Sequence, residues 1–393
     1  MRKFVIAAGL LALAGATGSA VAQEGSDLPM RVENVLEDFQ DRYAFPGATA
    51  AIALPDGTLA SAAVGLADIE NGRIMVPDTP MLAASIGKTF VAATVLALES
   101  ERLLSRGDLL SAHFGDRPWF ERLPNAGSIT IDHLLHHTAG LPDHVHLPEF
   151  QQAWAGLADR GEFDPADLVR FVVGLDPLFE TGMGWAYSDT GYVLLGLVIE
   201  DVLGQPWQDA VRARFLAPLD LNGTFPSDRP DLPGLAIGYV APDNPFGMPE
   251  RTADTAGRLL WNPSLESAGG GFASTSNDLA RWGHLLFGGE AMSAPYLYRL
   301  LDGVQVDPEA PGIRYGTGVA IYGDTPRGPV YGHGGWIPGY VSSLRHYADH
   351  DVTVAFQINT DVGIADDTTD LVPALEAALA DLAIGSGNET GQP

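Results

Sequence analysis

The chemistry in this sequence centres on a serine and a lysine one helical turn apart, Ser85 and Lys88. Ser85 opens an apolar helical pattern over 85–103, so both side chains are expected on the same face of a helix. Serine is a weak nucleophile until a base takes its proton. A lysine is such a base when burial and the positive helix end lower its pKa from about 10.4 toward neutrality. The pair therefore predicts nucleophilic catalysis at Ser85.

Two further motifs follow this pair along the chain. The first, Tyr-Ser-Asp at 187–189, precedes an apolar helical pattern over 190–203. The second, His-Gly-Gly-Trp at 333–336, ends one predicted strand and leads toward the next. Paired glycines let a substrate lie against the backbone, so the second motif predicts a substrate-binding edge.

Two other hydrolase classes have some support in the residues. The nucleophile elbow of α/β-hydrolases needs a glycine where Ala83 stands, and no strand run leads into Ser85. A zinc hydrolase is the competing class, since His133 and His137 have the spacing that holds zinc on a helix. The glutamate of that zinc motif is absent, because Leu134 fills its position. The crowded histidines are His133, His136, His137, His144 and His146.

Taken together, the motifs resemble the serine β-lactamase and D-alanyl-D-alanine carboxypeptidase superfamily, closest to its class C, peptidase and esterase-like branches. The segments 131–142 and 269–275 also look like recurrent parts of that superfamily. The resemblance implies an α/β plus all-α fold, in which helices flank an antiparallel sheet that carries a large, mostly helical insertion. It explains the His137 segment without a metal, so we expect neither a metal nor a cofactor.

The resemblance also implies a role for each motif residue. Ser85 would form an acyl-enzyme, Lys88 would be its base partner, and Tyr187 would relay a proton to the leaving group. The backbone N–H groups of Ser85 and Trp336 would form the oxyanion hole. The remaining catalytic position is His333, and the substrate-binding positions are Asp189, Gly334 and Gly335.

Two of these positions depart from the usual pattern of the superfamily. His333 stands where lysine is frequent, and a partly charged histidine holds a substrate carboxylate less firmly. Asp189 stands where asparagine is frequent, and an ionised aspartate only accepts hydrogen bonds. Both changes favour an ester as the small-molecule substrate, with a D-amino-acid peptide or a β-lactam as the alternatives. Three arginines outside these motifs could bind a substrate carboxylate: Arg314, Arg327 and Arg345.

A non-catalytic penicillin-binding or sensor module is the alternative outside the enzymes. Such a module would keep the fold and lose turnover. The presence of Ser85, Lys88 and Tyr187 argues against it. The sequence therefore predicts an exported serine hydrolase rather than a sensor.

The elements that must position these residues divide the chain into a sheet region and a helical region. Strand patterns occur near both ends of the chain, which predicts a discontinuous sheet region over 23–84 and 312–384. Helical patterns broken by Gly/Pro loops dominate 85–311, the region that carries the first two motifs. The residues 385–393 are expected to form a disordered tail.

The N-terminus and the composition indicate where the protein works. A basic start, an apolar stretch and the small residues 20–22 predict a signal peptide over 1–22 that is cleaved after Ala22. A periplasmic or secreted protein without integral membrane association is therefore expected. The net charge of −28 makes nucleic-acid binding unfavourable, and the absence of cysteine excludes disulfides and thiolate metal sites.

Overall fold

A computed structural model describes residues 18–158, 164–364 and 367–390. Side chains are described within 27–154, 156–157, 164–364 and 367–386. Residues 1–17 of the expected signal peptide therefore lie outside the described residues, and no side chain of 1–22 is described. Within the described part of the chain, no helix is both long and apolar enough to cross a membrane.

Antiparallel strands from both ends of the chain form the main sheet. The strands of the molecule are β1 (Gly47–Ala53), β2 (Leu59–Asp68), β3 (Arg73–Ile74), β4 (Met81–Leu82), β5 (Phe225–Pro226), β6 (Phe272–Ser274), β7 (Val304–Gln305), β8 (Ile313–Tyr315), β9 (Ala320–Tyr322), β10 (Val330–Ile337), β11 (Tyr340–Tyr347) and β12 (Val352–Ile358). Among the described residues nine strands make this sheet, in the order β3-β2-β1-β12-β11-β10-β9-β8-β7. A smaller sheet has the order β4-β6-β5.

Helices cover both faces of the main sheet and fill the middle of the chain. They are α1 (Gly18–Tyr43), α2 (Gly87–Ser100), α3 (Ser111–Phe114), α4 (Ile131–Leu135), α5 (Pro148–Ala158), α6 (Ala166–Val169), α7 (Asp189–Leu203), α8 (Trp207–Val211), α9 (Ser276–Phe287), α10 (Leu297–Leu300) and α11 (Leu371–Thr390). The apolar faces of α1 and α11 pack in one cluster with side chains of β1, β2 and β12. On the other face, α9 packs in the large cluster that includes α2 and α7.

The helices α2 and α7 are buried on nearly all sides, because apolar residues surround their axes rather than forming a single stripe. Phe90 of α2 stacks on Trp282 of α9, with ring centroids 4.3 Å apart. Trp282 Nε1 donates a hydrogen bond to Thr89 Oγ1 at 2.8 Å, so its polar group is satisfied inside the core. A helix held in this way presents its N-terminal residues at a fixed position.

The structure differs from the sequence expectations at two places. Helix α11 continues to Thr390, past the expected start of the disordered tail at 385, and 391–393 of that tail lie outside the described residues. Ser386 within the helix donates to the Leu382 carbonyl and accepts from Arg31 of α1. The motif at 333–336 lies inside β10 rather than beyond its end. The extended pairing of β10 with β11, which runs to Ile337 opposite Tyr340, accounts for this difference.

Candidate active site

Ser85 lies at the junction between the smaller sheet and α2. The short strand β4 precedes it, an element that the sequence did not indicate, and Met81 and Leu82 of β4 pair with β6. Ala84 has a φ of 48°, which is left-handed backbone that costs a non-glycine residue about 1–2 kcal/mol. Ser85 itself is half-buried, whereas its neighbours on both sides are buried. This sharp turn exposes the hydroxyl of Ser85.

Lys88 is fully buried one turn into the helix, and its Nζ has three hydrogen-bond partners. Nζ lies 3.0 Å from Ser85 Oγ. It also donates to Asp189 Oδ1 and to the carbonyl oxygen of Gly269. The carboxylate and the carbonyl only accept hydrogen bonds. A neutral amine would therefore give both of its N–H groups to them and turn its lone pair toward the hydroxyl of Ser85.

Tyr187 approaches Ser85 from the segment before α7. Its Oη donates a hydrogen bond to Ser85 Oγ at 3.0 Å, so the serine oxygen lies between the phenol and the Lys88 amine. Lys88 Nζ also lies 4.9 Å from the centroid of the Tyr187 ring. Burial, together with the charge of Asp189, raises the pKa of Tyr187 well above its ordinary value. The phenol is therefore protonated at neutral pH.

His137 holds the backbone on both sides of Tyr187. The N–H of Ala186 donates to the His137 carbonyl oxygen at 3.0 Å, and the N–H of Ser188 donates to His137 Nδ1 at 3.2 Å. The His137 ring also packs on the Tyr187 ring, with centroids 4.3 Å apart. Burial and the charge of Lys88 lower the pKa of His137 well below its ordinary value, so the ring is neutral. We name this arrangement the His137 clamp.

Strand β10 forms the opposite side of the site. A Cβ on Gly335 would lie 2.3 Å from the Ala83 carbonyl oxygen, so only glycine lets β10 approach the turn before Ser85 this closely. Ser342 of β11 donates to the same carbonyl at 2.8 Å. Gly334 and Trp336 of this strand line a cavity that opens at Ser85. Trp336 Nε1 donates to Asp361 Oδ2 at 3.1 Å, which fixes its ring.

His333 has a different environment from the one expected for a ligand of a substrate carboxylate. Its Nδ1 lies 2.6 Å from the Gly334 carbonyl oxygen, and its Nε2 lies 2.9 Å from Tyr315 Oη. The carbonyl only accepts, so Nδ1 carries the proton and Nε2 accepts from the phenol. Burial and the nearby charge of Lys88 lower the pKa of His333 to about 3. The ring is thus neutral and both of its nitrogens are engaged inside the protein, so it offers a substrate carboxylate neither a positive charge nor a free N–H.

Three carboxyl groups surround Lys88 or lie close to it. Asp189 pairs directly with Lys88, and its side chain is 23% exposed. Burial and the charge of Asp189 raise the pKa of Asp143 to about 7. Burial also raises the pKa of Glu266 to about 8, although the charge of Lys88 opposes this shift. Nothing in the local sequence around Asp143 or Glu266 distinguishes these two residues from surface acids, so motif spacing does not predict them.

A cavity of about 570 Å³ opens at Ser85. Its polar side includes Tyr187, Asp189 and Asp143. Its apolar side carries the aromatic rings of Phe150, Trp154, Phe246 and Trp336. Among the described residues that line it, none is lysine or arginine. The cavity thus combines an acidic wall with an aromatic one.

The three arginines considered as carboxylate ligands have partners elsewhere. Arg314 donates to the Gly303 carbonyl, and Arg327 forms two hydrogen bonds with Asp381. Arg345 is buried and pairs with Glu376 at 3.1 Å. The structure therefore brings none of them to Ser85.

The histidines of the competing zinc hypothesis are bonded separately. Helix α4 ends at Leu135, and His137 has a φ of 58°, so His133 and His137 do not share a helix face. His133 Nδ1 accepts from the backbone N–H of Thr130 in a capping box. Within the described part of the chain, no group of three or more His, Asp or Glu side chains is arranged to hold a metal ion. The spacing argument for zinc on a helix is therefore wrong.

The fold and the site together define a serine β-lactamase/transpeptidase-like protein, which confirms the expected fold class. A D-stereospecific amidohydrolase from Streptomyces sp. has a similar structure, with a TM-score of 0.71 and 27% sequence identity. The match covers 86% of this chain and 96% of that one.

Sequence comparison gives the family. The Beta-lactamase family model matches residues 32–379, and the chain belongs to that family. Penicillin-binding protein 4* of Bacillus subtilis (strain 168) is 27% identical over 84% of this chain and 71% of its own length. Esterase EstB of Burkholderia gladioli is 30% identical over 83% of this chain and 82% of its own length. The expected superfamily is confirmed, and its members here include both penicillin-binding proteins and an esterase.

Proposed function

We propose that this protein hydrolyses small esters through an acyl-enzyme on Ser85. One observation supports this proposal above the others. Ser85 Oγ lies 3.0 Å from both Lys88 Nζ and Tyr187 Oη, within hydrogen-bond reach of a base and of a proton donor. The basic, apolar and small-residue pattern of 1–22 and the bacterial penicillin-binding relatives support export from the cytoplasm.

The proposed reaction has two steps. In the first, Lys88 Nζ acts as the base in its unprotonated form and takes the proton of Ser85, whose oxygen attacks the ester carbonyl carbon. The C–O bond to the leaving group breaks, and Tyr187 donates its proton to the departing alcohol. Lys88 then returns a proton to Tyr187. In the second step, water attacks the acyl-enzyme along the reverse route, which releases the acid and restores Ser85.

The negative oxygen that forms in both steps needs hydrogen-bond donors. We assign this role to the backbone N–H groups of Ser85 and Trp336. The close approach of Gly335 to Ala83 and Ala84 supports the assignment, because it brings the backbone of β10 beside that of Ser85. One such donor is commonly worth about 3–4 kcal/mol of transition-state stabilisation.

The charges of the site favour an ester without a carboxylate. A β-lactam or a cell-wall peptide usually presents a carboxylate, which His333 cannot hold as a neutral, internally bonded ring. An amide oxygen of such a substrate would also face Asp189, which has no N–H to donate. Each lost partner costs about 1–3 kcal/mol. The similarity to esterase EstB supports the same preference. A D-alanyl-D-alanine carboxypeptidase or a β-lactamase remains the second candidate, supported by the penicillin-binding relatives.

A comparison of two chromogenic substrates tests the proposal. We expect a higher kcat/KM for short-chain p-nitrophenyl esters than for nitrocefin. In Asp189→Asn the ratio of the two kcat/KM values should be smaller, because asparagine can donate a hydrogen bond to the amide oxygen of nitrocefin. Asp176→Asn is the matched control, since that exposed aspartate lies away from the cavity. A higher kcat/KM for nitrocefin would replace the esterase proposal with the β-lactamase candidate. Covalent acylation by either substrate without turnover would favour a sensor.

A further inference from the structure

His136 is a buried residue directly before His137, at the C-terminal end of α4. Its Nδ1 lies 2.9 Å from the Asp132 carbonyl oxygen, and its Nε2 lies 2.7 Å from the Asp302 carbonyl oxygen. A carbonyl oxygen only accepts hydrogen bonds, so each ring nitrogen needs a proton to make its bond. A neutral imidazole has a single N–H and would turn a lone pair toward one of the two carbonyls. The two contacts therefore favour the imidazolium form.

Negative charge beside the ring supports the same form. The Asp132 carboxylate oxygen Oδ1 lies 3.5 Å from His136 Nδ1. The same carboxylate pairs with Arg106 at 3.2 Å, and Arg106 also pairs with Glu99 at 3.2 Å. Burial by itself would lower the pKa of His136, but the hydrogen bonds to Asp132 and its negative charge outweigh burial, so the pKa is raised above its ordinary value.

Other titratable groups lie near His136 on the elements around it. Burial lowers the pKa of His133 and of His137, so neither of these rings is expected to be charged at neutral pH. Arg299 of α10 is paired with Glu99. Asp302 presents its backbone carbonyl to the ring, and the residue itself is exposed. The imidazolium of His136 thus faces one close carboxylate and two carbonyl oxygens.

His136 connects the two elements that hold Tyr187. On one side it is bonded within α4 and continues into the His137 clamp. On the other side Asp302 leads into β7, which pairs with β8 at Tyr315. The Tyr315 ring packs on the His137 ring, with centroids 4.6 Å apart, and lies 6.3 Å from the Tyr187 ring. Tyr187 therefore lies against two rings whose elements are joined through His136.

We propose that the imidazolium of His136 is a positioning group for Tyr187 and makes the proposed reaction sensitive to pH. Loss of one ring proton removes one of the two carbonyl hydrogen bonds, which loosens either α4 or the β7 segment from the ring. The phenol of Tyr187 is then held less firmly at Ser85, and kcat falls. KM changes little, because His136 is not among the described residues that line the cavity. The inference rests on the proposed Ser85 reaction and adds its regulation by pH.

The variant His136→Gln tests the charge, because glutamine donates hydrogen bonds but does not titrate. Values of kcat and KM for a short-chain p-nitrophenyl ester are measured in both proteins from about pH 6, below the ordinary histidine pKa of about 6.5, to about pH 9. The ratio of wild-type to variant kcat cancels titrations that both proteins share. We expect this ratio to be about tenfold at about pH 6 and to fall at least about threefold by about pH 9, with KM values within about twofold. A ratio that does not change with pH would overturn the inference.

Two controls show whether the effect is specific and acts through Tyr187. His350→Gln is the matched control, since His350 lies in the turn between β11 and β12, and its kcat should equal that of the wild type at each pH. In a Tyr187→Phe background, adding His136→Gln should lower kcat little further, because the phenol is already absent. A further loss of about tenfold in that background would overturn the positioning role.

A measurement without turnover covers the case in which His136→Gln does not fold. Asp132→Asn keeps the carbonyl that accepts from His136 Nδ1 and removes the charge beside it, at a side chain that is 44% exposed. In protein labelled with ¹⁵N-histidine, one buried ring should carry protons on both nitrogens at about pH 7 and should titrate at lower pH in Asp132→Asn. Identical titrations in the two proteins, or no wild-type ring with a pKa above about 6.5, would overturn the inference whether or not esters are hydrolysed. No ester hydrolysis by the wild type would instead overturn the proposed function and leave the charge of His136 standing.

Discussion

The His137 clamp is expected to control the activity of Tyr187 without touching the substrate. His137→Leu removes the acceptor for the Ser188 N–H and the ring that packs on Tyr187. A buried donor without a partner costs about 1–3 kcal/mol, and an aromatic pair contributes about 0.5–1.5 kcal/mol. A phenol displaced by about 1 Å from Ser85 lowers the rate by up to about 10²-fold. We expect kcat to fall by about 10- to 100-fold with little change in KM.

The conservative variant His137→Asn separates the clamp from general damage. Asparagine tolerates the left-handed backbone at this position and offers an acceptor in the place of Nδ1. It is expected to keep more activity than His137→Leu. Leucine is also unfavourable in left-handed backbone, which destabilises the folded His137→Leu variant by about 1–2 kcal/mol. Thermal unfolding of both variants checks that they are folded under the assay conditions.

A double-mutant cycle gives the decisive readout. If His137 acts through Tyr187, adding His137→Leu to Tyr187→Phe will lower kcat little further, because the phenol that the clamp positions is already gone. Independent effects would instead multiply. Losses of kcat that multiply in the double variant would refute the positioning role, as would full activity in His137→Leu.

Two further predictions concern the nucleophile and the buried acid beside it. Ser85→Ala is expected to abolish ester hydrolysis and labelling by a fluorophosphonate while the unfolding temperature stays near that of the wild type; retained turnover would contradict the assignment of the nucleophile. Glu266 has a raised pKa in the folded protein, so its contribution to stability is present at low pH and is lost as pH rises through about 8. Between about pH 7 and about pH 9, ionisation of Glu266 should lower the free energy of unfolding of the wild type by about 1.4 kcal/mol. The Tm of Glu266→Gln should therefore decrease less than the Tm of the wild type over this pH range. Equal decreases in Tm would contradict the burial of an ionisable group at this position.

The short motifs determined which residues meet at the nucleophile. Ser85 and Lys88 are close in the chain, so helix geometry alone brings their side chains together. The resemblance of the later segments to one superfamily added Tyr187 and the strand at 333–336, and the structure places both at the cavity that opens at Ser85. Local periodicity also indicated the helices and strands that carry them, because burial of an apolar face has the same spacing in sequence as in space.

Long-range packing decided the properties that the sequence left open. Burial lowers the pKa of His333 so that its ring is neutral, and the Tyr315 hydroxyl forms a hydrogen bond with its Nε2. The residues next to His333 in the chain indicate neither property. The role of His137 arises from two hydrogen bonds to a segment about fifty residues away, at Ala186 and Ser188. Asp143 resembles a surface acid in the sequence, and only the fold buries it beside Asp189. The residues of a site can be read from motifs, but charge and hydrogen bonding depend on neighbours that only the folded chain brings together.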